Sequence, residues 1–146
     1  MRRGISPVIA TVIIVAVAIA ISIAVAGWLM GLWGGFGQTE SLKIFPDSYV
    51  NSTTLVLHIQ NTGGSAAEIY KIELSGTTLM DNNAAAVGVV VNGNTVTTNT
   101  IVVDPGQTVT IEVPLTTGFN TAAGVAYTVT VYTQAGNVYT STVYGK

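Results

Sequence analysis

The sequence predicts an α+β protein, with a long N-terminal hydrophobic α-helix followed by an antiparallel β-sandwich. Three observations carry this expectation. Residues 5–33 contain no charged side chain. Gly34, Gly35 and Gly37 crowd into four positions directly after that run. From residue 40 onward, short stretches alternate apolar with polar residues and are punctuated by turn signals.

Within the uncharged run, VAVAIAISIAVA (15–26) alternates branched with small residues, which is the period of a strand. Both alternating sets are apolar, however, whereas a half-buried strand alternates apolar with polar. Length decides between the two. The run exceeds the 18 or so residues that mark a membrane-spanning helix, and a lone strand cannot cross a bilayer because its backbone groups would go unpaired. The polar residues in the run, Ser6, Thr11 and Ser22, carry hydroxyls that a helix can satisfy on its own backbone. A helix over 5–33 is therefore expected.

On a helix the alternation becomes a shape. Val15, Ile19 and Ile23 form one ridge along the i, i+4 direction, and Val17, Ile21 and Val25 form another on the opposite side. Two grooves run between them, one lined by Ala16, Ala20 and Ala24, the other by Ala18, Ser22 and Ala26. Gly27 and Gly31 continue the small-xxx-small spacing that lets helices approach closely in apolar surroundings. Ridges of one copy can enter grooves of the next. A helix with one partner needs one such face; two faces on opposite sides suit a bundle with neighbours all round.

Arg2 and Arg3 stand directly before the run, and positive charge there keeps that end cytoplasmic, so everything beyond Trp33 is expected to face outward. Ser6 is expected as the N-cap and Pro7 at the first helical position, where its missing N–H is no loss. Pro7 also pushes the preceding residue toward an extended conformation, leaving Arg3-Gly4-Ile5 open to a cut between Gly4 and Ile5. Ala24-Val25-Ala26 offers a secretory cleavage site, but an ordinary signal core has 7 to 15 residues and the apolar character here continues through Trp33.

The segment RRGISPVIATVIIVAVAIAI resembles the amino terminus of archaeal type IV pilins, closely over roughly the first 33 residues and in general style over the remainder. The resemblance implies a class III signal peptide, the leader Met1–Gly4, removed by a prepilin peptidase. It further implies a precursor held in the cell membrane, an assembly ATPase with its membrane platform, and polymerisation of the helix into the core of an extracellular filament of identical subunits. Surfaces or other cells would be its adhesion targets. Bacterial members typically carry glutamate at the fifth mature residue; here that position is Ile9, so subunit register needs another device. An archaellin of the rotating archaeal filament, or a monomeric membrane-anchored binding module, are the alternatives.

Gly34, Gly35 and Gly37 are expected to end the helix and form a hinge over residues 34–39, because glycine is a poor helix former. The head then occupies 40–146. Leu55, Leu57 and Ile59 face one way, with Val56, His58 and Gln60 opposite. Asn61-Thr62-Gly63-Gly64 reads as a turn, after which Tyr70, Ile72 and Leu74 mark a strand. Asn92-Gly93 signals a hairpin, and Asp104-Pro105-Gly106-Gln107 fits a type II turn leading into Val109, Ile111, Val113 and Leu115. Val125, Tyr127, Val129 and Val131 form an alternating set, with threonines at 128 and 130, and Ala135-Gly136-Asn137 turns the chain into a last strand carrying Tyr139 and Val143. Seven or eight strands over about 105 residues indicate a sandwich of immunoglobulin type.

The composition narrows the chemistry. A net charge of -2 gives no footprint for nucleic acid, and the absence of cysteine removes disulfides and thiolate metal sites. His58 is the single histidine and has no acid or nucleophile at motif spacing. Asp81-Asn82-Asn83 lacks the glycine and distal glutamate of a calcium loop, and no lysine follows the glycine-rich GGFG. No catalytic residue, metal or cofactor is expected. Asn51-Ser52-Thr53 is a sequon that would face outward, which makes Asn51 a candidate for N-glycosylation.

Overall fold

The computed structural model describes residues 5–36, 39–82, 88–115 and 119–146. The chain divides into two compact units, residues 1–38 and residues 39–146. Arg2, Arg3, Gly4, Gly37 and Asn83 lie outside the described residues, and with them the leader and the cut before Ile5.

The first unit is a helix, α1 (Ile5–Phe36). It begins at Ile5, as the expected span does, but Ser6 and Pro7 then lie inside the first turn and not at the cap and first position. The first four N–H groups of a helix have no intrahelical acceptor, so proline is tolerated throughout that turn. At the other end α1 runs past Trp33, and Gly34 and Gly35, expected to break it, are helical. Glycine weakens a helix by about 1 kcal/mol relative to alanine but does not forbid one, and neither residue has a positive φ. The hydroxyls behave as expected: Thr11 Oγ1 donates to Val8 O at 2.7 Å and Ser22 Oγ to Ala18 O at 2.7 Å.

The second unit is a curled, mostly antiparallel sheet folded on itself as a sandwich. Its long strands are β3 (Thr54–Asn61), β4 (Ala67–Leu74), β9 (Thr108–Pro114), β10 (Ala126–Thr133) and β11 (Val138–Gly145). β4 lies between β10 on one side and β5 (Thr77–Asp81) and β8 (Ile101–Val103) on the other, while β11 pairs with β10. In the facing half, β3 lies between β9 on one side and β1 (Leu42–Ile44) and β2 (Tyr49–Val50) on the other. The hairpin of β6 (Val90–Val91) and β7 (Asn94–Thr95) extends β9. β2 joins the halves, antiparallel to β3 and parallel to the end of β11. Five of these strands have only two or three residues, too short to register as alternating runs. The β6–β7 hairpin is nonetheless marked by Asn92-Gly93, so the strands the sequence does not announce are β1, β2 and β8, which lift the expected seven or eight to the eleven found among the described residues.

Leu55, Leu57, Ile59, Ile111 and Val113 from one half meet Ile69, Ile72, Leu74, Val129, Val131 and Val143 from the other in a single buried core. The period-two reading holds along β3, β9 and β10 and slips in β4. Tyr132 pairs with Lys71 but Thr133 with Ile69, so Tyr70 is an extra residue, a β-bulge. Ala67 and Ile69 point inward before it, Ile72 and Leu74 after it. Tyr70, read with Ile72 and Leu74 as marking one strand, is only half-buried where they are fully buried, and it sets its ring 6.3 Å from that of Tyr132.

The turns follow local chemistry. Asn92 and Gly93 have φ of 49° and 83°, the two positive values a type I′ hairpin demands. Gly106, with φ of 77°, takes the position in the Asp104–Gln107 turn that only glycine occupies without strain, and Gln107 N–H donates to Asp104 O at 3.0 Å. The start of the head is clamped to its own sheet. Thr62 N–H donates to Ser41 O at 2.7 Å and Gly64 N–H to Thr39 O at 2.9 Å. A Cβ on the intervening Gly63 would collide with the Thr39 carbonyl and the Ser41 amide. Glu40 accepts from Asn137 Nδ2 at 2.8 Å and from the Thr133 hydroxyl, while Tyr139 OH donates to the Glu40 carbonyl at 3.2 Å.

Candidate assembly surface

Every described side chain of α1, from Ser6 to Gly34, is exposed. Among the ridge residues the exposure runs from 47% at Val25 to 68% at Ile23, so both ridges stand open along the described helix. Fully burying one such side chain contributes about 1.5–3 kcal/mol, and at these exposures much of that contribution is unrealised.

The glycines say what kind of surface it is. A Cβ placed on Gly27, Gly31 or Gly34 would meet nothing within 4 Å. No described residue therefore requires glycine there, although each glycine costs the helix about 1 kcal/mol relative to alanine.

Following the i, i+4 rows past residue 26 exposes a change of size. The ridge Val15–Ile19–Ile23 continues into Gly27 and Gly31, and the groove Ala16–Ala20–Ala24 continues into Trp28 and Leu32. Ridge becomes notch and groove becomes wall. A uniform groove would accept a neighbour in registers about 6 Å apart, four residues at 1.5 Å each. For a helix packed along these rows the reversal would remove that degeneracy, because a slipped neighbour would meet Trp28 where it needs space.

The head carries polar pairs. His58 Nδ1 lies 2.7 Å from Asp47 Oδ2, an acid eleven residues away that spacing did not reveal, and His58 N–H donates to Ser48 Oγ at 3.0 Å. No group of three metal-ligating side chains occurs among the described residues. At the sequon, Asn51 is half-buried and its Oδ1 accepts from Thr53 N–H at 2.8 Å, Thr54 N–H at 2.7 Å and the Thr53 hydroxyl at 3.1 Å. Ser52 and Thr53 are exposed beside it.

On the outer face of β4 and β10, Glu73 accepts from Lys71 Nζ at 2.6 Å and from Tyr132 OH at 2.9 Å, while Lys71 Nζ sits 5.1 Å from the centre of the Tyr132 ring. The hydrogen bond from Lys71, then that from Tyr132, hold the Glu73 carboxyl below its ordinary value of 4.5 and outweigh its desolvation. The same bonds raise Lys71 and Tyr132. A depressed carboxylate stabilises the fold above its ordinary pKa, and the stabilisation is lost as pH falls through the lowered native value. Denaturant midpoints of the head are therefore expected to drop as the solution is taken below pH 4.5, and Glu73→Gln is expected to flatten that drop. Equal acid profiles for the two proteins would contradict it.

No protein-family model matches the chain, and no curated protein sequence matches it. Among solved structures, the archaeal flagellum of Methanospirillum hungatei strain JF1 is similar at 15% identity and a TM-score of 0.51, over 96% of this chain and 91% of that one. The archaellum periplasmic stator protein FlaG from Sulfolobus acidocaldarius is similar at 18% identity and a TM-score of 0.49, over 71% of this chain and 99% of that one. The likeness to the flagellum chain is one of fold, and it takes in almost the whole length of both chains.

Proposed function

We propose that the chain is a structural, non-catalytic subunit of an archaeal extracellular filament, an adhesive type IV pilus, that polymerises through α1. The observation that carries this is the helix itself: exposed along its described length, with two ridges, two grooves and glycines that no described residue calls for. In this reading the precursor sits in the cell membrane with Arg2 and Arg3 inside. A prepilin peptidase cuts between Gly4 and Ile5, and an assembly ATPase and platform extract the helix into the filament core. The heads then coat the outside and meet surfaces or other cells. The reversal of size near residue 26 supplies the register that Ile9, lacking a carboxylate, does not.

A second reading, an archaellin, draws support from the fold shared with the flagellum of Methanospirillum hungatei. One experiment separates them. In the deletion strain, loss of surface attachment with intact swimming supports the pilus, and loss of swimming supports the archaellin. Sheared surface material from the parent is expected to contain the chain beginning at Ile5, with Asn51 modified. Absence of the chain from the filament fraction overturns both readings, and an unmodified Asn51 peptide removes the glycan from either.

A further inference from the structure

The membrane-inserted precursor assumed above leaves a question of depth, because α1 is longer than a bilayer's hydrocarbon is thick. Residues 6–34 form one uninterrupted apolar span, which at 1.5 Å per residue runs about 43 Å against roughly 30 Å of hydrocarbon. The excess has to lie somewhere, and the tryptophans fix where. The chain has two, Trp28 and Trp33, both in the head-proximal part of α1 and exposed at 67% and 77%. Val8 to Trp28 is twenty steps, about 30 Å, which equals the hydrocarbon thickness. Trp28 to Trp33 is about 7.5 Å further, close to the 5–7 Å depth of one headgroup layer.

Their orientation fits the same boundary. Five steps at 100° set the two indoles about 140° apart around the helix, so they do not share a face and would not serve one protein partner together. A headgroup layer surrounds the helix on all sides. It suits an indole, which has a large apolar body and one N–H donor for the polar boundary.

We propose that Trp28 and Trp33 are an interfacial anchor. Before assembly they hold the subunit with residues 8–27 in the hydrocarbon and residues 28–34 among the outer lipid headgroups. The occupant is the headgroup boundary of the bilayer, and the inference rests on the membrane-inserted precursor of the preceding section. The anchor sets the height from which the subunit is drawn into a filament, and Gly31 and Gly34, useless to the isolated helix, stay clear of the hydrocarbon until neighbours arrive.

Having both tryptophans on α1 makes the test direct, since all indole fluorescence of the full chain comes from these two sites. The chain is reconstituted in phosphatidylcholine vesicles containing lipids brominated either near the headgroup or near the acyl-chain end. The anchor requires several-fold stronger quenching by the shallow bromines. Trp28→Phe, which reports Trp33 alone, should be quenched less than Trp33→Phe, because Trp33 lies further out. Stronger quenching by the deep bromines, or none while the chain floats with the vesicles, overturns the anchor and leaves the membrane precursor standing. A chain that does not float with the vesicles overturns both.

Discussion

Replacing Ala20 with leucine is expected to abolish filaments while leaving the chain in the membrane. Ala20 is the middle member of the Ala16–Ala20–Ala24 groove, and its side chain is exposed, so leucine has room on the described helix. Leucine is also close to alanine in helix propensity and more apolar, so neither the helix nor its insertion suffers. What changes is the groove, which a leucine fills. Overpacking a close contact costs about 1–3 kcal/mol, and in a polymer that cost recurs at every subunit and at each neighbour the groove serves. Ala20→Ser keeps the groove open and is expected to assemble normally, because small residues of either kind allow close approach. Electron microscopy of sheared material, with the membrane fraction probed in parallel, reads both outcomes. Normal filaments from the leucine variant would mean that the grooves are not packing surfaces.

The parts of this molecule that were legible in the sequence are those where one residue type answers a local demand. The uncharged run of α1 could satisfy its backbone in a bilayer only as a helix, and Asn92-Gly93 and Gly106 mark turns because their φ values are open to few residues. Ser75-Gly76 makes the same positive-φ pair between β4 and β5, with φ of 48° and 83°, and its signal lay in plain view. The bulge at Tyr70 was hidden for a different reason. One extra residue shifts the phase of a strand without changing its composition, so the run still reads as alternating. The Asp47–His58 pair forms because β2 and β3 fold back on each other, which no spacing rule encodes. On the helix, the rows gave the ridges and grooves, but the extent of α1 turned on two glycines whose penalty is smaller than the continuity of the surrounding turns.

Asn61 is where reading the chain locally missed the most. As the first residue of Asn61-Thr62-Gly63-Gly64 it signals a turn, yet it closes β3 fully buried and joins three segments through its side chain. Nδ2 donates to Ser65 O at 2.7 Å and to Val103 O, at the end of β8, at 2.8 Å; Oδ1 accepts from Gly63 N–H at 2.9 Å. Asn61→Ala would strand all three backbone groups. Each buried group left unpaired costs about 1–3 kcal/mol, and water can reach the two loop groups more readily than the Val103 carbonyl. A total loss of about 3 kcal/mol is expected, enough to lower the melting temperature of a domain this size by roughly 10–20 °C. Asn61→Asp separates the hydrogen bonds from mere volume. Aspartate has nearly the same shape, but it turns a second oxygen toward the Ser65 and Val103 carbonyls, which have no proton to give. At neutral pH it should be at least as destabilising as alanine. It should recover in acid, where a protonated carboxyl can donate to one of the two carbonyls. If Asn61→Asp instead melts with the parent protein, the residue fills space and the three bonds contribute little.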